Sequence, residues 1–409
     1  MEYGLLGEKL PHSFSKIIHE KLGKYNYDLK ELSLEEFNLF MQQKDFKGIN
    51  ITIPYKQEAI KHLDFIDESA KAIGVVNTVI NKDNKLYGYN TDFLGLKELI
   101  NKNNIDISGK KVAILGGGAT SKTAYAVCAH LKAGKILRVS RTKSENCITY
   151  SELVSTYNDI DVIFNTTPLG MYPNIFSSAV SVDDFKNLSA VVDVVYNPIN
   201  TKLVIDAKNK GIKAVGGLYM VVAQAVFAAS IFLNSKDIIS KLDEIYNSLL
   251  KEKTNIVLVG MPSSGKTTIG YELSKKLNRE FIDIDDLITK KYGKITDIFN
   301  DNGEQYFRNL ETETIKEISN KNGVVISTGG GAVLRQENID ALKFNGKIFF
   351  LDRPLELLMP TDDRPLFNDA SKIESLYKER IGIYKSVAEV TIDVNNDCSY
   401  AINQILKLI

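Results

Sequence analysis

Residues 255–268, NIVLVGMPSSGKTT, combine the residue types that bind phosphate groups. Gly260 is followed after four residues by Gly265, Lys266 and Thr267, which is the spacing G-x-x-x-x-G-K-[ST]. Small residues let backbone N–H groups turn towards phosphate oxygens, a lysine neutralises the outer phosphates, and a threonine hydroxyl can bind Mg²⁺. A plain Gly/Ser-rich turn is the alternative, but a predicted strand before the loop and a helix after it favour phosphate. The ATP-binding residues predicted here are Ser263, Ser264, Gly265, Lys266, Thr267 and Thr268.

A second glycine cluster, Gly116-Gly117-Gly118, follows a predicted strand over 111–115 and opens a helix. Glycine turns that enter a helix bind pyrophosphate at the helix N-terminus. The next predicted strand, 135–139, ends in Ser140-Arg141-Thr142, where an acidic residue would favour a free ribose hydroxyl and an arginine favours a 2′-phosphate. The sequence therefore predicts an NADP site formed by Gly116, Gly117, Gly118, Ala119, Thr120, Ser140, Arg141 and Thr142.

Polar residues also end several short strands in the first hundred residues. They lie in Ser13-Phe14-Ser15 and in the stretches 50–56, 74–78 and 88–92. Each alone is explained by a helix cap, a turn or a solvated lysine. Because the sites of α/β proteins form at strand ends, the four stretches together indicate a binding site.

The elements that position these residues alternate between strands and amphipathic helices along the whole chain. This alternation predicts an α/β fold with mainly parallel sheets, and 409 residues suffice for two or three domains. The apolar stretch 218–233 is too short for a membrane span and predicts a buried helix. Residues 251–254, short and polar, are the predicted linker.

Charge and cysteine content exclude several classes of protein. The 51 basic residues balance the 51 acidic residues, which gives no electrostatic case for nucleic acid or a polyanionic surface. Cys128, Cys147 and Cys398 are too far apart in the sequence to suggest a zinc site or a disulfide framework. Without a signal-peptide pattern, we expect a cytoplasmic protein that acts on small molecules, as a monomer or homodimer, without membrane or nucleic acid.

The four polar strand ends read HSxS, N-x-TIP-x-K, G-x-VNT and GxNTD. In this order and spacing they resemble the shikimate dehydrogenase family, and the resemblance covers residues 1 to about 245. It implies a substrate lobe at about 1–104 plus 217–250 and a Rossmann-like NADP lobe at about 105–216. The motifs NTTPLGM, D-x-x-Y-x-P and G-x-x-M-x-x-x-Q extend it through residues 165–224.

The resemblance also implies roles for individual residues. Lys56 and Asp92 would be the acid/base pair at the carbon that receives hydride, since reduction of a ketone builds negative charge that an ammonium can stabilise and protonate. The cofactor would also contact Val194 and Met220. The residues that would bind the substrate are Ser13, Ser15, Thr52, Asn77, Asp92, Tyr196, Gly217 and Gln224.

Residues 254–409 carry F-x-D-x-D, GE-x-x-FR-x-x-E, TGGG, RPL and R-x-x-x-Y, and this set resembles shikimate kinase. We expect 281–286 to be a strand that places Asp283 and Asp285 on one side, one for Mg²⁺ and one for a substrate hydroxyl. The resemblance gives the hydroxyl to Asp285, which leaves Mg²⁺ to Thr267 and Asp283. It assigns the substrate carboxylate and ring to Arg308, Gly330 and Arg380, and the closing lid over the phosphates to Arg364.

Together the two resemblances predict NADPH-dependent reduction of 3-dehydroshikimate followed by phosphorylation of shikimate with ATP and Mg²⁺. Two alternatives stay open. The first is a quinate-type dehydrogenase joined to another small-molecule kinase. The second is that one half is a nucleotide-binding module without turnover.

Overall fold

The computed structural model describes residues 1–10, 13–359, 370–395 and 397–409. The chain divides into two compact units, Met1–Leu249 and Leu250–Ile409. The helix Leu242–Lys253 runs across this division, and its buried residues, Leu242, Ile245 and Leu249, all belong to the first unit. The predicted linker, 251–254, is therefore mostly the last turn of a helix.

The first unit begins with a mixed sheet in the order β2-β1-β3-β5-β6-β4. Its strands are β1 (Tyr3–Gly7), β2 (Asp28–Glu31), β3 (Gly48–Ile51), β4 (Phe65–Ile66), β5 (Thr78–Lys82) and β6 (Lys85–Tyr89). Its helices are α1 (Ser15–Leu22), α2 (Leu34–Gln43), α3 (Glu68–Ile73) and α4 (Thr91–Lys102). Strand β5 runs antiparallel to β3 and β6, since Asp83 and Asn84 adopt positive φ and close a tight hairpin.

A second sheet in the same unit is parallel, in the order β12-β11-β10-β7-β8-β9. Its strands are β7 (Lys111–Leu115), β8 (Lys135–Ser140), β9 (Ile148–Thr149), β10 (Val162–Asn165), β11 (Ala190–Asp193) and β12 (Lys213–Val215). The helices are α5 (Ala119–His130), α6 (Tyr150–Thr156), α7 (Lys202–Asn209), α8 (Leu218–Phe232) and α9 (Leu242–Lys253). Helix α8 packs on α4, which joins the two sheets into one unit.

The second unit has a parallel sheet in the order β14-β15-β13-β16-β17. Its strands are β13 (Asn255–Val259), β14 (Phe281–Asp283), β15 (Val325–Ser327), β16 (Gly346–Asp352) and β17 (Val390–Asp393). Its helices are α10 (Lys266–Leu277), α11 (Ile284–Tyr292), α12 (Ile295–Asn302), α13 (Glu304–Ile318), α14 (Gln336–Lys343), α15 (Ala370–Val387) and α16 (Cys398–Leu408).

One predicted element is wrong. The strand expected over 281–286 ends at Asp283, whose carboxylate accepts hydrogen bonds from the amides of Asp285 (3.0 Å) and Asp286 (3.3 Å). These bonds cap a helix, so Asp285 lies in the first turn of α11 and strand alternation does not relate it to Asp283. The α/β class and the parallel sheets are as predicted. Within the described ranges, no helix is long and apolar enough to cross a membrane.

Candidate active sites

In the first unit, Lys56 and Asp92 form a nearly buried ion pair. Lys56 lies in the turn that follows β3, and Asp92 lies in the first turn of α4, which Asn90 caps. Lys56 Nζ lies 2.5 Å from Asp92 Oδ2, and only 13% and 11% of the two side chains is exposed. An ammonium held this way can deliver a proton to an oxygen, while the carboxylate keeps it oriented.

Asn77 lies beside this pair. It immediately precedes β5, is 3% exposed, and accepts a 2.7 Å hydrogen bond at Oδ1 from the backbone N–H of Thr91. Because Thr91 is the residue before Asp92, this bond ties the amide side chain to the start of α4. The predicted substrate residues Asn77 and Asp92 are thus brought together.

Gln224 reaches the same region through the packing of α8 on α4. A Cβ on Gly95 would lie 2.7 Å from the carbonyl oxygen of Met220 and 3.1 Å from Gln224, so only glycine permits this approach. Gly95 and Asp92 are three residues apart on one face of α4. Gln224 is half-buried and donates from Nε2 to the Val221 carbonyl at 3.0 Å.

The two predicted serines flank Phe14 at the start of α1. Ser13 Oγ accepts from the Ser15 amide at 3.2 Å, and the Phe14 ring packs against Tyr196 with a centroid distance of 5.2 Å. The serine hydroxyls and the Tyr196 hydroxyl therefore lie on neighbouring segments. Thr52, half-buried after β3, packs close to Gly7.

Tyr196 is positioned by a buried carboxylate, Asp193, at the end of β11. Asp193 accepts hydrogen bonds from Asn165 Nδ2 (3.0 Å), Thr201 Oγ1 (2.7 Å) and the Val195 amide (3.0 Å). Burial raises the pKa of Asp193 to about 6, although these three donors oppose the shift. The sequence motifs contained Asp193 but gave it no role; its three bonds fix the loop that carries Tyr196.

The raised pKa of Asp193 predicts a pH-dependent stability. Between about pH 4 and pH 6, Asp193 is protonated to a greater extent in the folded unit than in the unfolded chain. The contribution of Asp193 to the free energy of unfolding therefore falls as the pH rises through this range. Above about pH 6 the contribution is constant. The free energy of unfolding of Asp193→Asn, taken relative to wild type at the same pH, should therefore rise by up to about 3 kcal/mol between pH 4 and pH 7. Urea unfolding at several pH values, followed by pulsed hydrogen exchange in peptides of β10 and β11, measures this difference. A difference that does not change with pH would contradict the prediction.

The glycine cluster after β7 has the form of a pyrophosphate cradle. Gly116 has a φ of +116°, and a Cβ there would lie 2.8 Å from Thr166 Oγ1. Apart from their chain neighbours, none of the described residues comes within 4 Å of the position of a Cβ on Gly117 or Gly118, and α5 begins at Ala119 with Thr120 in its first turn. The cradle is open towards the helix N-terminus, as a dinucleotide requires.

The other predicted NADP residues lie at the ends of neighbouring strands. Ser140 ends β8 and donates to the carbonyl of Thr142, and the Arg141 side chain is exposed. Val194 follows β11, and its backbone is in close contact with Gly217, which also places Met220, one turn further on, near this edge. The residues present therefore fit a dinucleotide that carries a 2′-phosphate.

In the second unit, the phosphate loop joins β13 to α10. Lys266 is 4% exposed and donates from Nζ to the carbonyls of Gly260 (3.0 Å) and Met261 (2.8 Å), which holds the ammonium inside the loop. Ser264 Oγ is buried and has no hydrogen-bond partner among the described residues. A buried donor left in this way is suited to a phosphate oxygen. Thr268 is exposed in the first turn of α10.

Thr267 and Asp283 meet at the opening of this loop. Thr267 Oγ1 donates to Asp283 Oδ2 at 2.8 Å. A hydroxyl and a carboxylate at this spacing suit Mg²⁺, which keeps several water or phosphate ligands of its own. In the part of the chain that the structure describes, no cluster of three His, Cys, Asp or Glu side chains could hold a metal without such ligands.

Ser263 takes a left-handed conformation, with a φ of +62°. A residue with a side chain is strained there by about 1 kcal/mol. Two contacts hold it: Ser263 Oγ donates to the Met359 carbonyl at 2.8 Å, and Arg353 donates to the Ser263 carbonyl at 3.2 Å. The loop thus keeps its shape without glycine at this position.

Three successive glycines after β15 each leave room for a different part of the second site. A Cβ on Gly329 would lie 2.6 Å from Glu311 Oε1 and 2.8 Å from Asp285 Oδ1, and a Cβ on Gly330 would lie 2.8 Å from Pro262 of the phosphate loop. A Cβ on Gly331 would collide with the guanidinium of Arg308. The glycine turn therefore places Asp285 and Arg308 beside the triphosphate loop.

The predicted arginines surround a buried carboxylate. Arg308 donates to Glu311 Oε2 at 2.8 Å and to Glu304 Oε1 at 3.1 Å, and it is 8% exposed. Burial raises the pKa of Glu311 against the opposing charge of Arg308, whereas the two carboxylates outweigh burial and keep the pKa of Arg308 raised. Arg380 is also buried, and its Nε makes no hydrogen bond within the described residues.

Sequence reasoning quoted Glu311 in a motif but gave it no role. Its Oε1 is fully buried and has no hydrogen-bond partner among the residues described. Tyr384, also fully buried, donates to the carbonyl of Gly330 and closes the site from the other side. The spacing R-x-x-E, which places two side chains on one helix face, is the signal that could have found Glu311. Arg364 lies outside the described residues.

Two families match this chain. The family described as "Shikimate dehydrogenase substrate binding domain" matches residues 5–79, and the family described as "Shikimate kinase" matches residues 262–409. Among curated relatives, the "Shikimate dehydrogenase (NADP(+))" of Clostridium perfringens is 40% identical over 270 residues. That alignment covers 60% of this chain and 97% of the relative.

Solved structures resemble the first unit. The shikimate dehydrogenase 1 of Peptoclostridium difficile is 38% identical with a TM-score of 0.57, and the match covers 61% of this chain and 98% of that one. A chorismate mutase/shikimate 5-dehydrogenase fusion protein from Clostridium acetobutylicum is 36% identical with a TM-score of 0.56, covering 60% of this chain and 96% of that one. In that protein as well, a dehydrogenase of this kind is fused to another enzyme.

Proposed function

This chain belongs to the shikimate dehydrogenase family and carries a shikimate kinase domain, and from that premise we propose which of its residues perform each reaction. The chain is an oxidoreductase and a phosphotransferase of the shikimate pathway. We propose that residues 1–250 are the dehydrogenase, with a substrate lobe at about 1–104 plus 217–250 and an NADP lobe at about 105–216. Residues 255–409 are the kinase.

In the first reaction, Lys56 protonates the oxygen of 3-dehydroshikimate as negative charge develops on it. NADPH supplies the hydride when bound. Asp92 keeps the Lys56 ammonium directed at the reacting carbon, because the two groups lie 2.5 Å apart in a nearly buried setting. The hydroxyls of Ser13 and Ser15 hold the carboxylate, and the other substrate contacts are Thr52, Asn77, Tyr196, Gly217 and Gln224.

NADP is held by the cradle that opens α5. The amides of Gly117, Gly118 and Ala119 would bind the pyrophosphate, and Arg141 with Thr142 would hold the 2′-phosphate. Gly116, Thr120 and Ser140 would shape the cradle, and Val194 and Met220 would contact the nicotinamide. The open space around Gly117 and Gly118 supports this assignment.

In the second reaction, Asp285 accepts the proton of the substrate hydroxyl as that oxygen attacks phosphorus. ATP supplies the phosphoryl group when bound. Lys266 and the amides of 263–268 would neutralise and position the phosphates, and Thr267 and Asp283 would hold Mg²⁺. The resemblance to shikimate kinase assigns Arg364, which lies outside the described residues, to the phosphates as well. Arg308 and Arg380 bind the substrate carboxylate through their guanidinium forks, and Glu311 keeps Arg308 in place.

The chemistry gives a reason for joining the two units. Reduction of 3-dehydroshikimate creates the 3-hydroxyl of shikimate, and the same oxygen receives the phosphoryl group in shikimate 3-phosphate. The observation that carries this proposal is that each unit buries a charged pair at its predicted centre, Lys56–Asp92 in one and Arg308–Glu311 in the other.

A coupled assay tests the whole function. Supplied with 3-dehydroshikimate, NADPH, ATP and Mg²⁺, the purified chain should convert the substrate to shikimate 3-phosphate with consumption of both cofactors. Omission of ATP should stop the reaction at shikimate, and omission of NADPH should prevent it altogether. Chromatography and NADPH absorbance follow the two steps. Failure to phosphorylate added shikimate would exclude the proposed kinase site.

We also propose that the chain acts in the cytoplasm as a monomer or homodimer, without nucleic acid or membrane. The balanced charge supports this assignment.

A further inference from the structure

The side-chain oxygen of Asn77 is saturated with hydrogen bonds from the protein. Its Oδ1 accepts from the Thr91 amide at 2.7 Å, from Thr91 Oγ1 at 3.2 Å and from Thr78 Oγ1 at 3.1 Å. Its Nδ2 makes no hydrogen bond among the described residues, and it is not one of the buried polar atoms left without a partner. The amide of Asn77 therefore presents only its two N–H donors to accessible space.

The donors to Asn77 belong to a longer buried relay. Tyr27 donates from its hydroxyl to Asn50 Oδ1 at 2.7 Å, and Asn50 Nδ2 donates to Thr78 Oγ1 at 3.0 Å. Thr78 Oγ1 lies 3.1 Å from Asn77 Oδ1 and 3.0 Å from Thr91 Oγ1, so its proton reaches Asn77 either directly or through the Thr91 hydroxyl, which also donates to Asn77. Asn50 in β3 and Thr78 in β5 are direct antiparallel partners, so the sheet register creates this contact. Every member of the relay is at most 5% exposed.

Backbone groups fix the polarity of the relay at both ends. Asn50 Nδ2 also lies 3.3 Å from the Asn77 carbonyl oxygen, which can only accept, so this atom of Asn50 must be the nitrogen. Asn77 Oδ1 faces the Thr91 N–H, which can only donate, so this atom of Asn77 must be the oxygen. If either side-chain amide were rotated by about 180°, a donor would face a donor or an acceptor would face an acceptor in a buried site, which is unfavourable.

The relay also keeps its polarity across pH. Burial raises the pKa of Tyr27 well above its usual value, so the hydroxyl keeps its proton. The His19 ring stacks on the Tyr27 ring with a centroid distance of 3.8 Å. Burial lowers the pKa of His19 to about 3, so the imidazole beside Tyr27 stays neutral. Tyr25, whose hydroxyl lies 2.6 Å from His19 Nδ1, has a pKa that burial also raises. On its other side, the relay ends at Asn77 beside the Lys56–Asp92 ion pair.

We propose that Tyr27, Asn50, Thr78 and Thr91 are positioning residues that fix Asn77 as a hydrogen-bond donor, so that the site selects a ring oxygen that accepts at this position. This inference rests on the proposed function, in which Asn77 contacts the substrate. Beside it, Asp92 can only accept. A hydroxyl satisfies both by accepting from Asn77 and donating to Asp92, whereas an ammonium group cannot accept and a methylene leaves both unpaired.

Thr78→Val tests the relay, because it removes the hydroxyl and keeps the shape of the side chain. We expect the KM for shikimate in NADP⁺-dependent oxidation to rise about tenfold, with the KM for NADP⁺ unchanged. Thr78→Ser, which keeps the hydroxyl, should stay within about twofold of wild type. In the Asn77→Ala background, Thr78→Val should have no further effect on kcat/KM, since the group it orients is gone.

The possible results distinguish this inference from the proposed substrate site on which it rests. If Asn77→Ala leaves the KM for shikimate unchanged, the proposed substrate site is wrong. If Asn77→Ala raises that KM but Thr78→Val does not, or if the two effects multiply in the double variant, the relay does not orient Asn77. Should Thr78→Val fail to fold, as shown by loss of NADP⁺ binding, Thr91→Val and its double variant with Asn77→Ala give the same test.

Discussion

Replacement of Lys56 by alanine is expected to lower kcat for shikimate oxidation by NADP⁺ about a thousandfold, while ATP-dependent phosphorylation of shikimate keeps its rate. Lys56 is the proton donor nearest the reacting carbon in the proposed site, and positioned acid/base groups contribute factors of roughly 10² to 10⁴. Its partner Asp92 would be left as a nearly buried carboxylate without its cation. Initial rates of NADPH formation and of ADP formation, measured on the same preparation, check both statements.

Lys44→Ala is the matched control for this variant. Lys44 also pairs with an aspartate in the first unit, at 3.1 Å from Asp64, but it lies away from the strand ends that form the site. The pair is more exposed, and such pairs contribute at most about 1 kcal/mol. Both activities should therefore survive in Lys44→Ala. Loss of shikimate phosphorylation in Lys56→Ala would contradict the hypothesis that the two sites act independently.

The sequence predicted the positions of functional groups better than the contacts that orient them. Lys56, Asp92, Lys266 and Arg308 were named from motifs, and the structure places them in two buried clusters, while their contacts to ligands stay a prediction. Contacts within one helix or loop can also be predicted from residue spacing, and the R-x-x-E spacing could have revealed the contact between Arg308 and Glu311. The Asn50–Thr78 contact could not be read in the same way, because it depends on the register between β3 and β5.

One local error has a physical cause that the sequence does contain. Asp285 was placed on a strand, although an aspartate before a helical pattern is a typical N-cap, and Asp283 caps α11. The conformation of Ser263 is a different case. Nothing in its own identity predicts a left-handed conformation, which the contacts to Met359 and Arg353 maintain.

Replacement of Lys266 by alanine should abolish the other activity, with kcat/KM for phosphorylation reduced about a thousandfold or more and shikimate oxidation unchanged. The ammonium is buried between the carbonyls of Gly260 and Met261. It is therefore already held in the loop that we propose binds the outer phosphates, and positioning with charge neutralisation supplies most of the catalysis in phosphoryl transfer. Lys266→Met, which keeps the length of the side chain and removes the charge, should lose nearly as much activity. ADP release at saturating shikimate measures the loss.

Lys275→Ala controls for the removal of a lysine from the same helix, since Lys275 is exposed on α10 and contacts Glu272 and the Tyr271 ring. It should keep both activities. Mixing Lys56→Ala with Lys266→Ala provides the decisive comparison: each variant retains the site that the other lacks, and shikimate is a small molecule that diffuses between them. The mixture should convert 3-dehydroshikimate to shikimate 3-phosphate at a rate set by protein concentration. A mixture that stays inactive while each variant keeps its remaining single activity would show that shikimate does not pass between molecules.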